Sequence, residues 1–188
     1  MTIFLILAPY GAFAILMVLT SAATSLFVSA AICLAVIAYD AIGGRSLKVL
    51  GAGSAVLFIA LGAYVTLIDS SLSSAQVKLT IDAGMLAISL GSLIMRRPFT
   101  LQYAREAVDA ETALRPEFVK ANYVISSAWA LAFVLMAMAN LLLIYIPALP
   151  IWSGIAIAFA ARNSALVFTK WYPEYRRTKL PASAVQTQ

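Results

Sequence analysis

Six apolar stretches dominate this chain, near residues 3 to 20, 24 to 42, 49 to 68, 75 to 95, 121 to 146 and 150 to 169. Each is close to the roughly 20 residues an α-helix needs to cross about 30 Å of hydrocarbon. A bilayer offers no water to open backbone groups, so a segment inside it must satisfy its own N–H and C=O groups. The stretches are too long and continuous for barrel strands. The expected fold is all-α: an integral membrane helical bundle with about six transmembrane helices, forming one domain over residues 1–170 with a cytoplasmic connection at 96–120 and a cytoplasmic tail at 171–188.

Composition agrees. With 63% hydrophobic residues, 11% charged residues and a mean hydropathy of +0.94, the chain lies outside the soluble range. There is no histidine, which removes haem ligation through imidazole, Ser/His hydrolysis in the membrane and HExxH zinc chemistry. Cys33 stands alone, so neither an internal disulfide nor a paired-thiol redox site can form. No cofactor or metal site is expected. Catalysis is not expected either, because no nucleophile with its base and no carboxylate dyad is visible.

Orientation follows from where Lys and Arg fall. Arg45 and Lys48 follow the second stretch. Arg96, Arg97, Arg105, Arg115 and Lys120 follow the fourth, and Lys170, Arg176, Arg177 and Lys179 follow the sixth. The alternate connections, TSAATS and PALP, carry no charge, and DSSLSSAQ carries only Asp69. The positive-inside rule then puts both termini on the cytoplasmic side of a bacterial inner membrane. The net charge of +5 therefore reports topology, and no nucleic-acid partner is inferred. The small residues of SAA after the first stretch would suit a cleavage site, but no basic run precedes that stretch, so it reads as an ordinary span bent or broken at Pro9.

In the long connection, Gln102, Arg105, Glu106, Asp109 and Thr112 share one face of an ideal helix, opposite Phe99, Tyr103, Ala107, Ala110 and Leu114. That pattern predicts a short helix lying on the cytoplasmic interface. Its polar face, with Arg96 and Arg97, is the candidate docking surface for a partner. Pro116 and Glu117 suit the first turn of the next helix. At the other end, Trp171, Tyr172 and Tyr175 lie beside basic residues, as where a helix leaves through the headgroups, and the final PASAVQTQ reads as disordered.

Charges inside spans are costly and face the bundle interior, so they mark candidate sites. Lys78 and Asp82 are one turn apart and can pair, with Ser89 and Ser92 extending the same face. Arg162 lies mid-span on a face with Gly154, Ala158 and Ala165, which would let another helix approach closely, and Asp82 is the expected partner. Asn122, Ser126, Trp129, Phe133, Met136 and Asn140 share a face of the fifth span. Asp40 is expected to sit in headgroup water beside Arg45.

Between the third and fifth spans, the chain resembles the intracellular septation protein A family of small inner-membrane proteins, over roughly residues 60–145. The carrying residues are GAYVTLID, the Lys78-x-Thr80 pair opening a span, the closing Met95-Arg96-Arg97-Pro98, and the Trp129…Asn140 spacing in WALAFVLMAMAN. The resemblance implies a non-enzymatic role in septation and cell-envelope maintenance, with division or wall-synthesis membrane proteins as partners. Three readings follow from the sequence: an envelope scaffold, a small ion or solute channel or transporter using Lys78, Asp82, Arg162 and Asn140, and an accessory subunit of a larger membrane complex. Its partners would be the lipid bilayer, those membrane proteins, or further copies of itself.

Overall fold

The computed structural model describes residues 3–146 and 148–179. All regular structure among them is α-helical: α1 (Ile3–Leu19), α2 (Ala22–Ile42), α3 (Val49–Leu67), α4 (Ser74–Ile94), α5 (Phe99–Arg105), α6 (Ala110–Leu114), α7 (Pro116–Tyr145) and α8 (Ile151–Lys179). Five of these, α2, α3, α4, α7 and α8, are long and apolar enough to cross a membrane. The protein is a multi-pass membrane protein built as a helical bundle. The first apolar stretch differs: α1 has 17 residues, a rise of roughly 25 Å, shorter than the hydrocarbon core. It keeps Pro9 inside the helix.

The helix ends follow local chemistry. Ser21 begins α2 by accepting from the Thr24 N–H at 3.2 Å. Ser73 and Gln76 form a reciprocal capping box that starts α4. Pro116 and Glu117 open α7 as their residue types predict. Two of the long helices outrun their apolar stretches. α7 begins five residues before its stretch, and α8 runs through residue 170 and the Trp171–Tyr175 aromatics with Pro173 inside it, where a tail was expected. Residues 180–188, including the stretch read as disordered, lie outside the described residues.

Each spanning helix packs against its neighbour in sequence: α1 on α2, α2 on α3, α3 on α4, α4 on α7 and α7 on α8. Small residues set two of these approaches. A Cβ at Gly84 would meet Leu57 of α3, and one at Gly154 would meet Leu143 of α7. The small face of α8 therefore serves the α7 contact. Phe58, Leu26, Met85 and Val77 are the largest fully buried apolar side chains at the centre of the bundle.

The connection after α4 departs from the single interfacial helix that its periodicity predicts. It breaks into α5 and α6, and α5 is docked into the bundle with Phe99 and Leu101 buried. Thr100 makes the joint: its hydroxyl donates to the Asn122 carbonyl at 2.9 Å, and its N–H donates to Ser126 Oγ at 3.3 Å. The turn that aims α5 inward is a Schellman motif, with Arg97 N–H on Ser92 O at 2.9 Å and Arg96 N–H on Leu93 O at 3.0 Å, closed by buried Pro98. The same motif ends α2, where Gly44 takes the left-handed position at φ +66°. In α4 that position is held by Arg96 at φ +56°, a conformation that favours glycine.

Candidate functional site

The buried polar groups fall into two levels. One lies at the end of the bundle where the basic connections meet, an end marked by three long-range contacts. Gln102 Oε1 accepts from the Val49 N–H at 2.8 Å, Lys48 Nζ lies 3.0 Å from Glu106 Oε1, and Arg176 donates to the Glu117 carbonyl at 3.2 Å. At this level Asp40 is gripped on both oxygens, by Lys48 at 2.7 Å and Arg45 at 3.1 Å. Arg45 pairs with Asp40 as its proximity in sequence predicts. The expected headgroup position is corrected, because Asp40 is only 5% exposed. The hairpin between α2 and α3 carries Lys48, itself 4% exposed, back over the end of α2, so water is displaced by a second cation. Lys48 also lies 5.6 Å from the centre of the Tyr103 ring. The bond to Asp40 pushes the Arg45 guanidinium up, and burial pushes the Tyr103 phenol up.

Sequence reasoning missed Lys48, which reads as one more topological charge. The usable signal was the GGRS turn, short enough to return a residue eight positions after Asp40 onto it. Part of the candidate docking face also makes contacts within the chain. Gln102 and Glu106 are engaged inside the molecule, and Asp109 caps α6 by accepting from the Thr112 N–H at 2.8 Å and its hydroxyl at 2.9 Å. Arg96, Arg97 and Arg105 are exposed.

The second level is a cavity of about 330 Å³ walled by α1, α4, α5, α7 and α8, with Leu50 at the start of α3. Its lining is mostly apolar and aromatic, with Phe13, Met85, Phe99, Phe133 and Met136 among the contributors, and it contains one carboxylate, Asp82, and one guanidinium, Arg162. Asn122 and Trp129 line it as well, so four of the six intramembrane candidates converge here. Of the other two, Asn140 reaches the cavity through Asp82, and Lys78 is not part of the wall.

The expected pairings of Asp82 are corrected. Among the described residues no Lys or Arg nitrogen comes within 4 Å of Asp82, so it pairs with neither Lys78 nor Arg162. Its partner is Asn140 of α7, whose Nδ2 donates to Asp82 Oδ2 at 2.8 Å and to the Met136 carbonyl at 3.1 Å. α4 and α7 are packed neighbours, which brings these two side chains together, and neutral amide donors leave the carboxylate facing the cavity. Arg162 forms no hydrogen bond and no ion pair with another described residue. It stands in the same cavity as Asp82, with the two charges held apart.

The remaining polar groups of the wall are satisfied locally. Trp129 Nε1 donates to Thr169 Oγ1 at 3.0 Å, tying α7 to α8. Asn122 bonds within its own helix, to the Phe118 carbonyl at 2.9 Å. Tyr10 of α1 is hydrogen-bonded to Ser54 of α3, and its hydroxyl lies 3.6 Å from Met85 Sδ. Tyr10 and Tyr103 also line a second cavity, of about 200 Å³, beside Asp40 and Lys48. Ser89 Oγ is the one buried side-chain polar atom without a hydrogen-bond partner among the described residues. Among those residues no three His, Cys, Asp or Glu side chains are grouped to hold a metal ion.

No family model, no curated protein and no solved structure matches this chain.

Proposed function

We propose that this protein is a small, non-enzymatic channel or carrier of a bacterial cytoplasmic membrane, with its basic connections on the cytoplasmic side, that takes a polar or charged molecule into its central cavity. The observation that carries this reading is the cavity's charge arrangement: a carboxylate and a guanidinium on facing helices, not paired with each other, within an apolar wall. An ionisable group held inside a membrane without a protein partner is expensive, and such groups mark pathways. The orientation is supported by the gathering of Lys48, Arg45 and Arg176 at one end.

In proteoliposomes, protein-dependent flux of an ion or small solute is expected, and Asp82→Asn or Arg162→Gln should reduce it at least tenfold. Flux indifferent to both substitutions would count against the reading, as would the absence of flux. A second reading, the envelope scaffold implied by the resemblance to septation proteins, is favoured by exposed Arg96, Arg97 and Arg105 on the long connection. It expects division or wall-synthesis proteins to co-purify at native expression level and to be lost when those three arginines become Gln. An unchanged set of co-purifying proteins would speak against the scaffold.

A further inference from the structure

The cavity's charges constrain what can occupy it. Among the described residues Asp82 and Arg162 are the only charged ones in the wall, of opposite sign and more than 4 Å apart, so a bare anion beside Arg162 would leave Asp82 unbalanced, and a bare cation would leave Arg162 unbalanced. A molecule with an ammonium and an anionic oxygen group answers both. The guanidinium offers a planar fork of donors for phosphate or carboxylate oxygens. Asp82 retains acceptor capacity for an ammonium beyond its one bond from Asn140.

The walls indicate the rest of the ligand. α1 and α8 both line the cavity, α1 through Leu7, Tyr10 and Phe13, and α8 through Arg162, Thr169 and Pro173. The lining away from the two charges is apolar, which suits a hydrocarbon chain.

We infer that the cavity is a binding site for a zwitterionic amphiphile, its anionic group on Arg162, its ammonium at Asp82 and its apolar chain along the apolar lining. This inference rests on the channel or carrier reading and names its ligand class. The shared chemistry of an ammonium and an anionic oxygen group has two sources, a phosphatidylethanolamine of the bilayer and a free soluble zwitterion.

The test uses the full chain with Trp152→Phe and Trp171→Phe, which leaves Trp129 as the reporter in the cavity wall. Brominated phosphatidylethanolamine in nanodiscs is expected to quench Trp129 at a mole fraction at least tenfold lower than brominated phosphatidylglycerol does. Asp82→Asn and Arg162→Gln should each erase that preference. Native mass spectrometry of the unsubstituted protein should retain one phosphatidylethanolamine in preference to phosphatidylglycerol, a result that needs no variant to fold. Equal quenching and equal retention of the two lipids would overturn the inference, unless phosphoethanolamine or leucine competitively raises Trp129 emission or binds with one-to-one stoichiometry, which supports the same chemistry with the soluble source. Preferential binding without flux in proteoliposomes would leave this site standing and remove the transport reading. Flux of a simple ion without zwitterion binding would do the reverse.

Discussion

Two clusters of charge are built into this bundle, and they are handled in opposite ways. At the end bearing the basic loops, Asp40, Lys48, Arg45 and Glu106 form a closed network in which every carboxylate meets a cation within 3.1 Å. In the middle of the bundle, Asp82 and Arg162 stand in one cavity without meeting, although a pair would lower the cost of both. The first arrangement is what a fold does to hold helices together. The second leaves interaction capacity unused, and unused capacity in a low-dielectric interior is what a ligand can exploit.

Substitutions can break or sharpen this contrast. The largest effect is expected from Lys48→Met, which leaves buried Asp40 with only the partly exposed Arg45 and Glu106 without its partner; removing one member of a buried pair costs about 3–5 kcal/mol. A fall in the unfolding midpoint in detergent would report it, and the double variant Asp40→Asn/Lys48→Met should recover most of the loss. A single variant within about 1 kcal/mol of the parent would mean the network is solvated. Next is Asn140→Leu, which removes the donor to Asp82 and is expected to cost about 2 kcal/mol. Full stability in that variant would remove the bond from the account of α4–α7 packing. Arg96→Gly should move stability the other way, by about 1 kcal/mol, since glycine occupies the left-handed position at no steric cost, as Gly44 does at the end of α2. A destabilised variant would show that the Arg96 side chain does something the turn needs.

Arg162→Gln sharpens the comparison most directly. Because the guanidinium has no protein partner to lose, its removal should change stability by no more than about 0.5 kcal/mol while abolishing ligand binding. A loss as large as that of Lys48→Met would make Arg162 a structural charge. The smallest effect concerns exposed Asp109, whose carboxyl is held below its usual range by the N–H of Thr112 and then by that residue's hydroxyl. The depressed value means that its contribution is fully present above the unfolded carboxylate's range and is lost as pH falls through the folded one. Hydrogen exchange at residues 110–114 should therefore quicken only in acid. Exchange that is flat across that range would show the cap to be energetically silent.

The spans were legible because hydrophobic length is a local property, and the apolar runs mark all five long helices to within a few residues, apart from the extended ends of α7 and α8. The candidate residues were partly legible for the same reason: a charge or amide in a span stands out, and Asp82, Arg162, Asn122 and Trp129 do share one cavity. Their partners were not, since pairing depends on which helices become neighbours. Lys78 is one turn from Asp82 in sequence and Arg162 is at comparable depth, but the packed neighbour α7 presents Asn140. The periodicity of residues 99–114 failed as a guide because an interfacial helix and a docked one share the same apolar face. The bonds from Thr100 to Asn122 and Ser126 decide between them, and nothing local encodes those.

The α7 side chains that line the central cavity also give its length. They run from Phe118 to Met136, recurring at helical spacing along one stripe. Eighteen residues of helix rise about 27 Å, close to the roughly 30 Å depth of a bilayer's hydrocarbon. The cavity is therefore elongated along α7. One face of one helix lines the cavity from near its start to the level of Met136, with Arg162 of α8 in the same wall.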